Sequence, residues 1–175
     1  LDGTIIGYVG SLEYWIDLET AIKTLPKLDA KLLIIGPGLF TDYGETIKSL
    51  ASELGVLDRM IFKGRVEYSE LYRYISAMDI GLNPLKHVMK NEVAVGGKIF
   101  NYLACGVPVL SSRMRAVENV LGNDLYYYDD EVSFIESVQN ILAAEIDRQK
   151  YIDIAEAFDW RNIATMYEKV IRSLE

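Results

Sequence analysis

Six short apolar, β-rich runs alternate with helically patterned stretches along this chain, and that alternation constrains its fold more than any other feature. Residues 4–10 (TIIGYVG), 31–38 (KLLIIGPG), 60–64 (MIFKG), 79–84 (DIGLNP), 107–112 (VPVLSS) and 124–129 (DLYYYD) read as strands. Leu18, Ala21, Ile22, Leu25 and Leu28 share one helical face, as do Tyr43, Ile47, Leu50 and Leu54. SELYRYISAM (69–78) is a further helix with Ser69 as its expected N-cap, and Gly55 and Gly106 stand where glycines end helices. Val132, Ile135, Val138 and Leu142 mark another helix, and Ile163, Met166, Tyr167, Val170, Ile171 and Leu174 form the apolar stripe of the last. Near-continuous apolar strands are buried on both sides. The pattern therefore predicts an α/β fold: a doubly wound, Rossmann-like parallel sheet in a single domain with C-terminal helices. Ligands of such sheets bind beyond the C-terminal strand ends, which selects the loops at 10–14, 36–41, 65–69, 85–98 and 111–115.

One of those loops ends in Gly96-Gly97-Lys98, at the start of the apolar helix IFNYLAC. The first amides of a helix have no intrahelical partner and carry the positive end of its dipole. Glycines admit a ligand to that backbone, and a lysine in the first turn adds a full charge, so the corner is built to hold phosphate. The plain alternative is a flexible loop with a solvated lysine. A net charge of −8 argues against an extended nucleic-acid surface, yet leaves room for a small anion held locally. A single cysteine, Cys105, excludes an internal disulfide and fits a reducing compartment, so a cytoplasmic location is expected. Set in an apolar run, Cys105 reads as core rather than nucleophile. No apolar run approaches the roughly 20 residues that span a bilayer. The opening Leu1-Asp2-Gly3-Thr4 leads straight into a strand, as expected of a piece cut from a longer chain.

KIFNYLACGVPVLSS (98–112) resembles the donor-site motif of GT-B glycosyltransferases, particularly the retaining family 4. Lys98, Tyr102, Leu103, Ala104, Gly106, Pro108 and Val109 match it. IGYVGSLEYWIDLETAI, KLLIIGPG, FKGRVEYSELYRYISAMDIGLNP and AFDWRNIATMYEKVI resemble other stretches of the same domain, in the same order and over nearly the whole chain. The resemblance implies a C-terminal, nucleotide-sugar-binding domain over residues 1–175, with the N-terminal acceptor domain absent from this chain. It implies a metal-independent, retaining transferase that works in polysaccharide biosynthesis and is inactive as this half alone. No cofactor is implied beyond a UDP- or GDP-sugar donor, and peripheral membrane association would come through the absent domain. Gly10 and Ser11 would face the pyrophosphate, Gly96, Gly97 and Lys98 would hold phosphate with Lys98 catalytic, Arg65 and Val66 would lie by the base, and Asn101 would take the ribose position.

Three departures from the family pattern bear on activity. Asn101 stands where many relatives carry glutamate, and an amide offers one acceptor oxygen and no charge. Val93 replaces the glutamate eight positions earlier, with Glu92 beside it as the candidate substitute. The cations that often follow the first glycine loop are missing, which leaves Lys86, Lys90 or Arg113 to compensate. His87 in the donor loop reads equally as a sugar contact or a solvated side chain. No His/Cys cluster or Asp-x-Asp pair marks a metal site. A sugar-nucleotide epimerase half and a non-catalytic nucleotide-binding or scaffolding domain are the alternatives.

Overall fold

The computed structural model describes residues 3–174; Leu1, Asp2 and Glu175 lie outside the described residues. Strands β1 (Thr4–Val9), β2 (Ala30–Ile35), β3 (Met60–Gly64), β4 (Ile80–Asn83), β5 (Val109–Ser112) and β6 (Tyr126–Tyr128) form one sheet in the order β3-β2-β1-β4-β5-β6, every pairing parallel. All six expected strands are present, most of them shorter than the apolar runs suggest. Residues 36–38 belong to the turn after β2, because Gly36 and Gly38 take positive φ and leave the ladder.

Helices α1 (Leu18–Thr24), α2 (Asp42–Glu53) and α7 (Glu131–Ala143) cover one face, while α3 (Tyr68–Ile75), α5 (Gly97–Ala104) and α8 (Arg148–Ala157) cover the other. Four consecutive residues of β1, Ile5 to Tyr8, are buried, as are all four of β4 and all four of β5. Helix α7 begins at a capping box, with Asp130 accepting from the Ser133 N–H at 2.8 Å. Gly55 and Gly106 follow the last residues of α2 and α5 at φ 66° and 68°, as expected of helix-ending glycines.

Several elements differ from expectation. Helix α3 starts one residue before Ser69, with Glu67 at the N-cap and no side-chain cap. The long loop between β4 and α5 contains a four-residue helix, α4 (Met89–Glu92). Helix α6 (Arg115–Leu121) buries only Val117 and Leu121, too few positions to print a period on the sequence. Helix α8 buries only Tyr151, although Asp147, accepting from the Gln149 and Lys150 N–H groups, is a legible N-cap. The last helix, α9 (Trp160–Arg172), is amphipathic as expected, but none of its residues is buried.

The sheet order reverses between β1 and β4, and this is where a doubly wound sheet opens a crevice at its C-terminal edge. Tyr102 of α5 forms the floor. Its ring lies against Gly81 of β4, where a Cβ would stand 2.5 Å from the ring carbon Cγ, so only glycine lets α5 settle this close. The pairing of β1 with β4 ends at Tyr8 and Leu82. The Tyr102 hydroxyl takes over there, accepting from the Val9 N–H at 2.7 Å and donating to the Leu82 carbonyl at 3.2 Å.

Candidate functional site

The crevice rim is built from the loop after β1 and the N-terminus of α5. The Gly10 N–H donates to Ile35 O and the Leu12 N–H to Pro37 O, both at 2.9 Å, which ties the first loop to the end of β2. The buried Tyr8 hydroxyl donates to the Ser11 carbonyl at 2.7 Å and fixes the loop from beneath. Gly10 has φ 152°, and a Cβ on it would meet Tyr8 Oη at 2.7 Å and Lys98 Nζ at 3.3 Å. The glycine therefore keeps open the space between the loop and the ammonium.

Across from this loop, Gly96 is the N-cap of α5 and offers no side chain to its first turn. The Gly97 and Lys98 N–H groups find no acceptor among the described residues. Gly97 is exposed and Lys98 partly buried. Lys98 Nζ stands 4.6 Å from the centroid of the Tyr8 ring, and no carboxylate among the described residues pairs with it. Burial pushes its pKa down to about 8. A desolvated cation over an aromatic face thus lies beside backbone donors at an exposed glycine, elements of an anion site.

Gly10, Ser11, Arg65 and Val66 line one depression, with Tyr68 at its edge. Gly97 and Asn101 line an adjoining groove toward Phe158 and Trp160, again with Tyr68. The fold thus gathers these expected residues around one rim, with Lys98 reaching to Gly10.

Glu92 is engaged elsewhere. One oxygen lies 2.7 Å from His87 Nδ1 and the other accepts from the Arg115 N–H at 3.2 Å. The His87 bond and then the Arg115 amide hold its carboxyl below the usual range. The glutamate latches the loop between β4 and α5 to the start of α6. Nor are the expected compensating cations free. Lys86 pairs with Glu19 at 2.7 Å, Arg113 with Glu118 at 2.5 Å and Asp129 at 3.2 Å, and Lys90 stands 3.3 Å from the Trp15 ring centroid. These contacts brace the loop, together with Asn91, whose amide donates to the Trp15 and Lys86 carbonyls.

Three residues beside this rim carried little or no sequence signal. Tyr8 and Tyr68 read as ordinary strand and helix aromatics. Asn83, at the end of β4, is fully buried and donates to Ser111 Oγ at 2.9 Å, while its Oδ1 has no partner among the described residues and lies 3.7 Å from where a Gly96 Cβ would be. An asparagine inside an apolar strand beside a proline was the available hint. Among the described residues no group of three His, Cys, Asp or Glu side chains could hold a metal ion, and no helix is long and apolar enough to cross a membrane.

The pattern of the family described as glycosyl transferases group 1 matches residues 3–144. The chain is 25% identical over 166 residues to the teichuronic acid biosynthesis glycosyltransferase TuaH of Bacillus subtilis, covering 91% of this chain and 41% of that protein. Sucrose-phosphate synthase of Thermosynechococcus elongatus superposes with a TM-score of 0.79 at 21% identity, over 99% of this chain and 46% of its own. Anabaena Alr3699/HepE, solved in complex with UDP and glucose, gives a TM-score of 0.76 at 17% identity, over 99% of this chain and 48% of its own. The chain thus spans less than half the length of each of these proteins, and at such identities the two superpositions speak to fold. The epimerase alternative finds no support among these matches.

Proposed function

Because the chain belongs to the glycosyl transferases group 1 family, we propose that it is the C-terminal, donor-binding half of a GT-B glycosyltransferase that holds a UDP- or GDP-sugar at the crevice between β1 and β4. One observation carries the reading: Lys98 is desolvated with no carboxylate partner among the described residues, beside Gly10 and the free N–H groups of α5. Such an arrangement disfavours the charged lysine until an anionic ligand arrives.

In the reaction the bond between the anomeric carbon and the diphosphate oxygen breaks, an acceptor oxygen bonds to that carbon, and the acceptor's proton is released. Negative charge grows on the departing diphosphate. Lys98 and the Gly97 and Lys98 amides stabilise it without needing a metal ion. The acceptor and the other wall of the cleft belong to a second domain, so this half alone does not transfer sugar. By family resemblance the transfer retains anomeric configuration and serves polysaccharide synthesis on the cytoplasmic side.

Support for this reading comes from UDP in the structural relative and a glycosyltransferase as the sequence relative. A second reading, a domain that binds nucleotide without turning it over, is favoured by Asn101 in place of a carboxylate and by the engagement of Lys86 and Arg113 in ion pairs. Calorimetric titration with UDP and GDP tests the binding they share. We expect Lys98→Ala to weaken the better ligand at least about tenfold, the worth of one charge-assisted contact. Turnover by the full-length protein separates the two readings, and there Lys98→Ala should lower the rate by at least a similar factor. Unchanged affinity in the variant would remove Lys98 from the site.

A further inference from the structure

Tyr8 is the last residue at which β1 pairs with β4, and its side chain is fully buried. Both parts of that side chain reach the crevice rim. The hydroxyl donates to the Ser11 carbonyl at 2.7 Å, and the ring centroid lies 4.6 Å from Lys98 Nζ. Gly10 sits between them, since a Cβ there would stand 2.7 Å from Tyr8 Oη and 3.3 Å from Nζ. One aromatic side chain thus touches both the loop after β1 and the cation in the first turn of α5.

The residue type suits that place for a physical reason. A desolvated ammonium needs a compensating partner. A carboxylate would supply one, but it would also neutralise the charge that an anion has to meet. The face of an aromatic ring is electron-rich and carries no net charge, so it stabilises an ammonium without cancelling it. Tyr8 stays neutral, because burial and then the charge of Glu13 push its phenol pKa up. The titratable groups felt across this contact are Glu13 of the loop and Tyr102 of α5. No carboxylate among the described residues pairs with Lys98. Phenylalanine would offer the same ring face and no donor for the Ser11 carbonyl.

Resting on the donor-binding reading above, we infer that Tyr8 is a positioning residue for diphosphate binding, which it reaches by two separable routes. Its ring keeps the Lys98 ammonium charged and in place, and its hydroxyl holds the loop at Gly10 and Ser11. Tyr8 touches no ligand itself, and its ring route acts only through Lys98.

The test is calorimetric titration of the chain with UDP and GDP across pH, in variants that separate hydroxyl from ring. Tyr8→Phe removes only the hydroxyl. It should weaken the better ligand about three- to tenfold, the worth of one hydrogen bond, by the same factor at every pH. Phenylalanines of increasing fluorination at position 8 then keep the shape of the ring and drain its electron-rich face. Relative to Tyr8→Phe, they should move the pH above which affinity falls, near 8 in the parent, downward. A downward move of about half to one pH unit, the worth of one cation–ring contact, lowers affinity about two- to fivefold at pH 8, with the loss fading toward about pH 6. In a Lys98→Met background fluorination should change nothing. A thermal midpoint close to that of Tyr8→Phe verifies that the fluorinated variants fold. A purely structural Tyr8 would give losses that ignore both pH and the electronics of the ring. If UDP or GDP binds and fluorination leaves the pH profile unmoved, or acts equally without Lys98, the positioning role is overturned while the phosphate seat stands. If neither UDP nor GDP binds, the donor-binding reading falls, and the role of Tyr8 falls with it.

Discussion

Helices α5 and α9 are both amphipathic, and the chain uses them in opposite ways. In α5, Ile99, Tyr102 and Leu103 are entirely buried, and the apolar side is pressed onto β4 and β5 with α8 alongside. In α9, Trp160, Met166, Tyr167, Val170 and Ile171 stay exposed and no residue is buried. A repeat of apolar positions says that a helix has a face to cover. It does not say what covers it. The difference matters for function, because a helix terminus can serve as a rigid ligand seat only if packing fixes its position. Tyr102 pins α5 to the divergence of β1 and β4, and Lys98 of the same helix reaches toward Gly10.

The sharpest way to break this comparison is to loosen α5 from within. Ile99→Ala should cost about 2–5 kcal/mol in denaturant unfolding, as buried aliphatic truncations do. A loss under about 1 kcal/mol would mean that α5 is not held by the packing described.

A smaller effect comes from Lys98 itself. Its folded pKa lies near 8, below the ordinary lysine value of 10.5. Between those two values the unfolded chain binds more protons than the folded one, so without ligand this group makes stability rise as pH increases through the window. Below about pH 8 the folded state carries the cost of a desolvated charge. Lys98→Met should therefore stabilise the unliganded chain at pH 7, with the advantage shrinking toward pH 10 in thermal melts. A difference that grew with pH would show that Lys98 is not desolvated. Ligand affinity should move the opposite way, falling above about pH 8 as the cation is lost, because the anion needs the charged form.

The smallest effect is expected at α9. Ile171→Asp should shift stability of this chain by no more than about 0.5 kcal/mol, as changes at exposed positions do. A loss comparable to that of Ile99→Ala would mean that the α9 face is covered after all, and the contrast between the two helices would disappear.

Much of this architecture is legible from residue order, for identifiable reasons. Strands buried on both faces print unbroken apolar runs, and β1, β4 and β5 are such strands. Gly96-Gly97-Lys98 announces an open helix start because helix-terminal chemistry is local. Helices α6 and α8 escape notice because each buries too little to leave a period. Ser69 looks like a cap but lies inside α3, since the helix starts at Tyr68. Around the crevice, Gly96, Gly97 and Lys98 follow from local pattern, and Gly10, Ser11, Arg65, Val66 and Asn101 from the resemblance. Tyr8, Tyr68 and Asn83 stand beside them through contacts with residues far away along the chain.

The cations divide local from long-range information most clearly. Sequence order singles out Lys98 at the helix start and leaves Lys86, Lys90 and Arg113, in or beside the same loops, as possible compensating cations. Sequence alone determined the alternating fold, the helix that begins at Gly97 and the cation in its first turn, because each follows from the pattern of neighbouring residues. Only the tertiary structure decided which of these cations pair with carboxylates and which lie over aromatic rings. Lys86 meets Glu19 across 67 residues of chain, Arg113 meets Asp129, and Lys98 alone of the four meets the Tyr8 ring beside Gly10. Those pairings depend on where the sheet brings its strand ends, and charge partners separated by a whole β-α-β crossover leave no periodic trace in the order of residues.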